Sequence, residues 1–306
     1  MATVTAVIHT KNSEKTLDAC LRSVAWCDAI FVVDMESTDS TTTIATRYGA
    51  KVYAVKVPAS SGEGMIVEQV RQQFLEKVKT DWTLIVDSDE EVPVTLVAKL
   101  RELMMSSGTV AYNLARRNII FGKKMEYTGY WPDYILRFFR TGQLIHPTEI
   151  HVQPIANGKV ESLPASDEFA LIHHHYQSIS EFMDRLNKYT TFEAEKMAKT
   201  KSDASPLDAL QAFFAQFHTR FFAQQGYKDG STGFTISLLL AVYSLVATLK
   251  VWEKTKNETS INLGNVEATV TDACEATSYW VANEELNSPK NPVQKIGLKI
   301  RRKLHS

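Results

Sequence analysis

Four acidic residues follow a short apolar run in the stretch TDWTLIVDSDEEVP, which extends from Thr80 to Pro93. They are Asp87, Asp89, Glu90 and Glu91. Carboxylates this close repel one another and raise one another's pKa unless a cation or hydrogen-bond donors offset the charge. Two interpretations are open. The stretch is a solvated turn into a helix, or it holds a divalent cation, since Mg²⁺ takes one or two carboxylates and leaves its other positions to water and phosphate.

The elements around this cluster alternate between strand and helix patterns. Apolar strands are predicted at VTAVIHT, AIFVVD, AKVYAV and WTLIVD, and helices at NSEKTLDACLRSV, STDSTTTIATRYG, VEQVRQQFLEKVKT and TLVAKLRELM. Repeated strand–helix units favour a parallel sheet with helices on both faces, whose ligands bind at the carboxyl ends of the strands. Thr10 and Asn12 follow the first strand, and Asp34 ends the second. We therefore expect these side chains to share one edge with Asp87 and Asp89.

The pattern changes after residue 108. TVAYNLARRNIIFGKKM predicts a β-hairpin or a strand with a glycine turn, DYILRFFR predicts a short strand, and the chain is mostly helical from Ser178 onward. Phe234 to Leu249 is sixteen residues without a charge. A bilayer requires roughly 20 apolar residues, so a buried or interfacial helix is favoured over a transmembrane one. We divide the chain into an α/β domain, 1–176, and a helical region, 177–306.

Composition is that of an ordinary globular protein, with 306 residues, 44% hydrophobic residues and a net charge of -1. Because nothing in the total charge attracts polyanions, nucleic acid is not expected as a partner. Cys20, Cys27 and Cys274 show no metal-ligand spacing, which favours reduced thiols. The start, MATVTAVIHTKN, lacks the pattern of a signal peptide, so we expect a cytoplasmic protein. No G-x-G-x-x-G follows the first strand, which argues against a dinucleotide-binding dehydrogenase.

Three segments carry a family resemblance. AVIHTKNSEKTLDACLRSVAWCDAIFVVDMESTDSTTTIATRYGAKVY, DWTLIVDSDEEV and WPDYILRFFR, in this order, resemble family 2 glycosyltransferases of the GT-A fold, in the branch related to lipopolysaccharide core β-glycosyltransferases. The resemblance covers residues 3–190, and GYKDGSTGF is similar to a loop of that branch. It implies a Rossmann-like α/β domain with a C-terminal helical extension. It also implies an inverting transfer of a sugar from a nucleoside diphosphate, UDP by default, to a hydroxyl of an envelope glycan or glycolipid.

The resemblance implies a donor site at the carboxyl edge of the sheet. The nucleotide sugar would be bound by residues at this edge and one basic residue of the third helix: Thr10, Asn12, Asp34, Arg71 and Asp87. A divalent cation, Mg²⁺ or Mn²⁺, on Asp89 and Asp87 would neutralise the departing diphosphate, and His151 is a further candidate ligand. Met35 stands where many members have an Asp that reads the base, so recognition of uracil is not implied by this position.

An inverting transfer needs a general base, which a carboxylate can provide. Many relatives carry a His-Glu pair after the strand that resembles DYILRFFR. Here HPTEIHVQP has His151 without a following Glu, so Glu149 is the first candidate base and Asp133 is the second. Trp131 and Tyr134, close to Asp133, would offer aromatic surface to the acceptor sugar, or they belong to the core.

The run HHHY, from His173 to Tyr176, also contains possible metal ligands. Adjacent residues of a strand point to opposite faces, so the three histidines cannot all bind one ion. We expect one of them, with His175 the first candidate, to meet the active-site edge, and structural histidines are the commoner interpretation.

The C-terminal half suggests contact with a membrane. Five aromatic residues exceed what one helical face requires: Phe213, Phe214, Phe217, Phe221 and Phe222. The tail SPKNPVQKIGLKIRRKLHS has six basic residues, no acidic ones and interleaved apolar positions. These features predict peripheral contact with the inner face of the cytoplasmic membrane, with core packing and a solvated tail as alternatives. The competing function is a non-catalytic nucleotide-sugar-binding or scaffold protein of the same fold.

Overall fold

The computed structural model describes residues 2–56, 71–105, 108–145, 154–199, 204–256, 260–287 and 292–304. Two compact units divide the chain. The first comprises Met1–Lys124 and Tyr130–Gln177, and the second comprises Met125–Gly129 and Ser178–Ser306. The short segment Met125–Gly129 therefore belongs to the helical unit, although its neighbours in the chain belong to the first. The division into domains 1–176 and 177–306 stays a prediction.

A large mixed sheet forms the centre of the first unit. Its strands are β1 (Val4–Thr10), β2 (Ala29–Asp34), β3 (Lys51–Ala54), β4 (Trp82–Asp87), β5 (Glu90–Glu91), β6 (Thr109–Ile120), β7 (Lys123–Lys124), β8 (Asp133–Arg140), β11 (Lys159–Ser162) and β12 (Ala170–Tyr176), while β9 (Leu144–Ile145) and β10 (Ile155–Ala156) form a separate pair. The order across the sheet is β3-β2-β1-β4-β8-β6-β12-β5, with β7 and β11 paired to β6.

The parallel half of the sheet contains β1 to β4. Strand β1 pairs in parallel with β2 and β4, and β2 pairs in parallel with β3. Every residue of β1 is buried, as expected for a strand that is covered on both faces. The register places Thr10 beside Asp34 and His9 beside Asp87. The predicted convergence of these strand ends at one edge is therefore confirmed.

The other half of the sheet is mixed, because β6 pairs in parallel with β11 and β12 while the remaining pairs are antiparallel. Strand β8 pairs antiparallel with both β4 and β6, and β6 and β7 form a hairpin around Phe121 and Gly122, which both have positive φ. The predicted hairpin and short strand are confirmed. The sequence pattern did not predict β5, which pairs antiparallel with β12 so that Glu90 lies opposite His173. Three of the four acidic residues thus belong to strands, Asp87 at the end of β4 and Glu90 and Glu91 in β5.

Helices cover this sheet, in agreement with the predicted α/β class. They include α1 (Leu17–Ser23), α2 (Thr41–Arg47) and α3 (Val94–Met104), and residues 71–75 are also helical. Ala6 and Ile8 belong to one buried cluster and Val7 to another. These clusters lie on opposite faces because successive strand residues point in opposite directions. The indole of Trp82 and the ring of Phe138 stack at 4.7 Å within the first cluster.

The second unit is helical, as predicted from Ser178 onward. It contains α4 (Ile179–Met197), α5 (Pro206–Phe217), a π-helical turn (His218–Ala223), a 3-10 turn (Gly226–Asp229), α6 (Gly230–Thr255), α7 (Leu263–Asn287) and α8 (Pro292–Leu304). Ser178 caps α4 by accepting a hydrogen bond from the Glu181 backbone N–H. Ser205 and Asp208 form a reciprocal capping box at the start of α5. Both caps satisfy N–H groups that have no partner within the helix.

The buried carboxylate of Asp229 holds the segment 125–129 in the second unit. It accepts hydrogen bonds from the backbone N–H groups of Glu126 and Tyr127 and from the hydroxyl of Thr128, at 3.2, 2.9 and 3.0 Å. We call this arrangement the Asp229 clamp. A Cβ at Gly233 would lie 2.0 Å from the backbone oxygen of Gly226. The glycines of GYKDGSTGF therefore allow a close backbone approach next to this carboxylate.

Aromatic residues of the second unit contribute both to packing and to its surface. Phe222 is buried, and its ring stacks on Trp280 with centroids 6.4 Å apart. The rings of Phe217, Phe221 and Phe234 form a group with centroid distances of 5.3 to 5.9 Å. Phe234 is 47% exposed. Core packing thus explains some of the aromatic residues, and others remain at the surface.

Within the described residues, the stretch Gly226–Thr255 is long and apolar enough to cross a membrane, and 28% of its most apolar window is buried. Polar groups of the same unit also contact this stretch. The Lys250 ammonium donates to the Asn187 backbone oxygen at 2.8 Å and to the Thr191 hydroxyl at 2.7 Å, both on α4. Length and composition alone do not establish a span, and a buried or interfacial helix stays our prediction for Phe234 to Leu249.

Candidate active site

The first carboxylate of the acidic loop lies between arginines. Asp87 ends β4, and its carboxylate accepts a hydrogen bond from the Arg137 guanidinium. Arg71 Nη2 lies 3.7 Å from the other oxygen of Asp87. Burial raises the pKa of Asp87, but the guanidinium groups of Arg137 and Arg71 outweigh it and hold this pKa well below its usual range. Asp87 is therefore an anion with cationic partners already in place.

Glu90 continues the same ionic network. Its carboxylate is fully buried and accepts a hydrogen bond from the Asp87 backbone N–H at 2.9 Å. Arg137 and Arg116 lie 3.5 and 3.7 Å from Glu90 Oε1. Part of the repulsion within the acidic cluster is thus offset by arginines on β6 and β8. Neither of the two initial interpretations, a solvated turn or a metal alone, included this neutralisation by the protein.

Asp89 lies beside a histidine of β12. His173 Nε2 is 3.7 Å from Asp89 Oδ1, and His173 Nδ1 is 2.6 Å from Asn118 Oδ1. Both Asn118 amide protons are already engaged, because Nδ2 donates to Tyr130 O and to Asp133 Oδ2, each at 3.0 Å. Asn118 Oδ1 is therefore the acceptor and His173 Nδ1 the donor. In the neutral imidazole this leaves Nε2 as a lone-pair donor that faces the carboxylate.

This arrangement fits a divalent cation. Within the described parts of the chain, no cluster of three or more His, Cys, Asp or Glu side chains has the geometry of a metal cage. Mg²⁺ does not require one, because it uses one or two carboxylates and completes its shell with water and phosphate. Asp89 and His173 Nε2 provide two donor atoms, and a ligating histidine commonly donates its other N–H to a carbonyl oxygen, as His173 does to Asn118.

The edge formed by the ends of β1 and β2 contains two buried polar atoms for which the described residues provide no hydrogen-bond partner. Thr10 Oγ1 and Asp34 Oδ1 are buried, and neither has a hydrogen-bond partner in the part of the chain that is described. They lie side by side, since Thr10 and Asp34 pair in the sheet. Asn12, at φ 49°, joins the loops after β1 and β2, because its Oδ1 accepts the Thr38 N–H at 2.8 Å. Buried polar groups normally find partners in the protein, in water or in a ligand, so a polar ligand bound at this edge could supply them.

Asp133 lies at the start of β8, within the network that reaches Asp89. Asp133 Oδ2 accepts from Arg116 Nε at 2.9 Å and from Asn118 Nδ2 at 3.0 Å. Asn118 in turn contacts His173, which lies beside Asp89. One continuous chain of side chains therefore connects the candidate base with the candidate metal ligands.

The candidate acceptor residues flank Asp133 in the sequence. The Arg117 guanidinium carbon lies 3.4 Å from the centroid of the Trp131 ring, so a cation already covers one face of this indole. Tyr134 is 39% exposed, and its hydroxyl donates to the Leu163 carbonyl at 2.8 Å. Exposed ring surface remains at Tyr134, while Trp131 is half-buried.

Two predicted site residues, Glu149 and His151, lie outside the described residues. Their roles as base and metal ligand stay predictions. His173 was not singled out among the three histidines, although it is the one that the structure places next to Asp89. The alternation of side chains along the strand HHHY could have indicated which histidines share a face. The sequence does not show, however, that β12 lies beside the short strand β5.

An α/β sheet with a carboxylate loop and buried polar groups at the carboxyl ends of its parallel strands is typical of ligand-binding α/β enzymes. The family model for glycosyl transferase family 2 matches residues 5–160. The chain therefore belongs to glycosyl transferase family 2, and it is a glycosyltransferase.

Two glycosyltransferases with similar sequences agree with this family. The chain is 24% identical over 259 residues to the lipopolysaccharide core biosynthesis glycosyltransferase LpsC of Rhizobium meliloti (strain 1021), covering 82% of this chain and 92% of the relative. It is also 24% identical over 261 residues to an uncharacterized glycosyltransferase of Rickettsia bellii (strain RML369-C), covering 82% and 86%. A solved structure, glucosyl-3-phosphoglycerate synthase of Mycobacterium tuberculosis with Mn²⁺, UDP and glucosyl-3-phosphoglycerate, matches at 24% identity and a TM-score of 0.29. That match covers 36% of this chain and 43% of the synthase.

Proposed function

We propose that this glycosyltransferase moves a sugar, with inversion, from a nucleoside-diphosphate sugar to a hydroxyl of a cell-envelope glycan or glycolipid on the cytoplasmic side. UDP is the nucleotide we expect. The observation that supports the donor site is a pair of buried atoms, Thr10 Oγ1 and Asp34 Oδ1, which have no hydrogen-bond partner among the described residues and lie at the same edge as the acidic loop. The envelope acceptor is supported by the similarity to LpsC, which is named for lipopolysaccharide core biosynthesis.

The nucleoside would be recognised at the ends of β1 and β2. A carboxylate oxygen can only accept hydrogen bonds, so Asp34 Oδ1 requires a donor such as a ribose hydroxyl or a base N–H. Thr10 Oγ1 can either donate or accept. Asn12 would shape this pocket by holding the two loops together. Met35, although it occupies a base-reading position of many relatives, is buried and donates its backbone N–H to Thr10 O at 2.9 Å.

The diphosphate would lie beside Asp87 and Asp89. Arg71 and Arg137 supply positive charge at this position through their contacts with Asp87. A bound divalent cation, Mg²⁺ or Mn²⁺, would supply further neutralisation of the departing diphosphate. Asp89 and His173 are the described residues that fit its coordination, Asp87 would assist through its charge, and His151 is retained as a further predicted ligand.

The acceptor hydroxyl would lose its proton to a carboxylate. Glu149 is the base that the family resemblance favours first, and Asp133 is the candidate whose surroundings are described. Both described hydrogen bonds of Asp133 fall on Oδ2, from Arg116 and Asn118. These donors orient the carboxylate, so that its other oxygen can accept a proton from a hydroxyl placed next to Tyr134 and Trp131.

The experiment that tests the donor site is thermal unfolding of the full chain with UDP, GDP, CDP and ADP, each with Mn²⁺, with Mg²⁺ or with EDTA. A ligand at 100 times its Kd stabilises the folded state by about 2.7 kcal/mol, which raises Tm by several degrees for a chain of this size. We expect stabilisation by UDP only when a metal is present. A well-folded sample that no nucleotide stabilises would contradict the proposal and favour the scaffold interpretation.

A further inference from the structure

The C-terminal helix α8 has an apolar row beside a basic row. Ile296 and Ile300 are 60% and 56% exposed, and they are four residues apart on one side of the helix. Lys299 and Lys303 are also exposed and four residues apart, and each follows one of these isoleucines by three positions. Residues three and four apart are neighbours on a helix surface. The two rows therefore form one continuous surface, which we call the α8 face.

The opposite side of α8 contacts its own unit. Arg302 Nη1 donates to Asn283 Oδ1 of α7 at 3.3 Å, and Leu298 is half-buried. Leu298 and Arg302 are each two residues from an isoleucine of the α8 face, so they point in another direction. The α8 face is thus directed away from α7, and its isoleucines remain exposed while the helix is held in place.

The positive charge of α8 favours an anionic partner. The segment PVQKIGLKIRRKL contains five basic residues and no acidic one, whereas the whole chain has a net charge of -1. The positive charge is therefore concentrated at this helix. Nucleic acid would complement the lysines but offers no apolar environment for Ile296 and Ile300. An anionic lipid surface complements both rows, because headgroups bind the lysines while the acyl boundary takes up the isoleucines.

We propose that the α8 face docks on an anionic membrane surface, with Ile296 and Ile300 inserted at the acyl boundary and Lys299 and Lys303 at the headgroups. The purpose of this contact is to bring the enzyme to a lipid-linked acceptor, and this part of the inference rests on the proposed function. The proposal assigns membrane contact to α8 and not to the apolar stretch Gly226–Thr255 as a transmembrane helix. Lys250 of that stretch donates a hydrogen bond to a polar group of α4. The contact is peripheral and depends on ionic strength.

The test measures co-sedimentation of the full chain with vesicles of phosphatidylcholine alone and with vesicles that also contain phosphatidylglycerol. The variants are K299Q/K303Q for the basic row and I296S/I300S for the apolar row. The matched control is K56Q/K79Q, which removes two exposed lysines from the first unit. We expect binding to the anionic vesicles only. K299Q/K303Q should weaken it about 30-fold, from about 1 kcal/mol per charge, and I296S/I300S by at least about tenfold, because two isoleucines lose their apolar environment.

Each alternative outcome would overturn the proposal. Equal binding to both kinds of vesicle would indicate apolar insertion elsewhere, such as at Gly226–Thr255. An equal loss in K56Q/K79Q would show that net charge, not α8, controls binding. No binding to either vesicle would leave an acidic protein as the partner of the α8 face.

Stabilisation by UDP and metal is measured on the same samples, so that the two proposals can fail independently. We expect K299Q/K303Q and I296S/I300S to keep the nucleotide response of the unmodified chain, since the substituted residues belong to the second unit and not to the edge formed by the ends of β1 and β2. A chain that binds anionic vesicles but not UDP would retain the membrane inference and reject the donor site. The reverse result would do the opposite.

Discussion

Asp87 and Asp229 are buried or half-buried carboxylates that use opposite kinds of partner. Asp87, at the end of β4, is held by the guanidinium groups of Arg137 and Arg71. Asp229, in the second unit, is held by two backbone N–H groups and one hydroxyl from the segment 125–129. The arginines around Asp87 can also contact a bound anion, and its carboxylate can also contact a bound cation. In contrast, buried backbone N–H groups that lose their acceptor cost free energy. The first carboxylate therefore suits a binding site, and the second suits a structural clamp.

The same contrast separates the two halves of the acidic loop. Glu90 is fully buried and fixed by the Asp87 backbone N–H and by arginines, so it organises the loop. Asp89 is 19% exposed at its side chain and faces His173. Substitutions at the edge of the sheet should thus reduce ligand binding and turnover, while substitutions at the Asp229 clamp should reduce the free energy of unfolding.

The largest effect is expected for Asp89→Asn. Removing a group that stabilises developing charge in the transition state costs about 10²–10³ in turnover, which corresponds to roughly 3–4 kcal/mol. The apo protein should keep its Tm, because Asp89 is not part of the buried core. Release of UDP from a UDP-sugar and stabilisation by UDP with Mn²⁺ are the two measurements. Asp18→Asn, the same change on α1 of the same unit, is the control and should behave like the unmodified chain. Unchanged turnover in Asp89→Asn would remove this residue from the site.

A comparable loss, but in stability, is expected for Asp229→Ala. The substitution leaves the N–H groups of Glu126 and Tyr127 and the hydroxyl of Thr128 without their acceptor. At about 1 kcal/mol or more for each unsatisfied donor, the free energy of unfolding should fall by about 3 kcal/mol. Urea unfolding measures it, with Asp184→Ala, an exposed position on α4, as a nearly neutral control. If the folded fraction of Asp229→Ala lost its UDP response while its stability was unchanged, the distinction between clamp and binding site would be wrong.

Sequence patterns predicted the first unit far better than the details of its site. The apolar runs of β1, β2 and β4 carry enough information to align their ends, so Thr10, Asp34 and Asp87 were expected at one edge. The neutralisation of Asp87 by Arg137 was not predicted, because these residues are 50 positions apart and meet only through the antiparallel pairing of β4 with β8. Contacts of this kind depend on strand order, which local periodicity does not encode.

The same limit explains why the contacts of His173 and Asp229 were not predicted from the sequence. HHHY was recognised as a strand, but the choice among its histidines depends on β5, a two-residue strand that is too short to give a periodic signal. GYKDGSTGF was recognised as a loop of the family, yet its buried carboxylate acts on residues more than 100 positions earlier in the chain. The close backbone approach at Gly226 and Gly233 is seen only in the structure, and the sequence does not show which segment this loop contacts.

A smaller effect, on metal affinity, is expected for Asn118→Ala. Asn118 Oδ1 accepts the proton of His173 Nδ1 and so directs the lone pair of Nε2 towards Asp89. Loss of such an outer partner commonly costs 10- to 100-fold in metal affinity. Titration of Mn²⁺ by electron paramagnetic resonance, in the presence of UDP, measures this directly. Asn113→Ala, which removes an amide from the same strand β6, is the matched control and should retain full affinity. Equal affinities in both variants would remove His173 from the coordination shell.

The smallest effect, and the one that separates binding from stability most sharply, is expected for Thr10→Val. Thr10 Oγ1 is buried with no hydrogen-bond partner among the described residues, so an isosteric methyl should leave the free energy of unfolding of the apo protein unchanged or raise it by up to about 1 kcal/mol. If the hydroxyl binds the nucleoside, UDP affinity should fall about fivefold, the value of one hydrogen bond of about 1 kcal/mol.

Thr83→Val is the matched control for Thr10→Val, because Thr83 is equally buried on β4 but its hydroxyl is hydrogen-bonded to the Thr141 hydroxyl at 2.8 Å. This control should lose about 1 kcal/mol of stability and keep its affinity for UDP. Urea unfolding and calorimetric titration of UDP with Mn²⁺ separate the two quantities. If Thr10→Val were instead destabilised as much as Thr83→Val and bound UDP normally, its hydroxyl would have a structural partner, and the donor edge would have to be sought beyond the ends of β1 and β2.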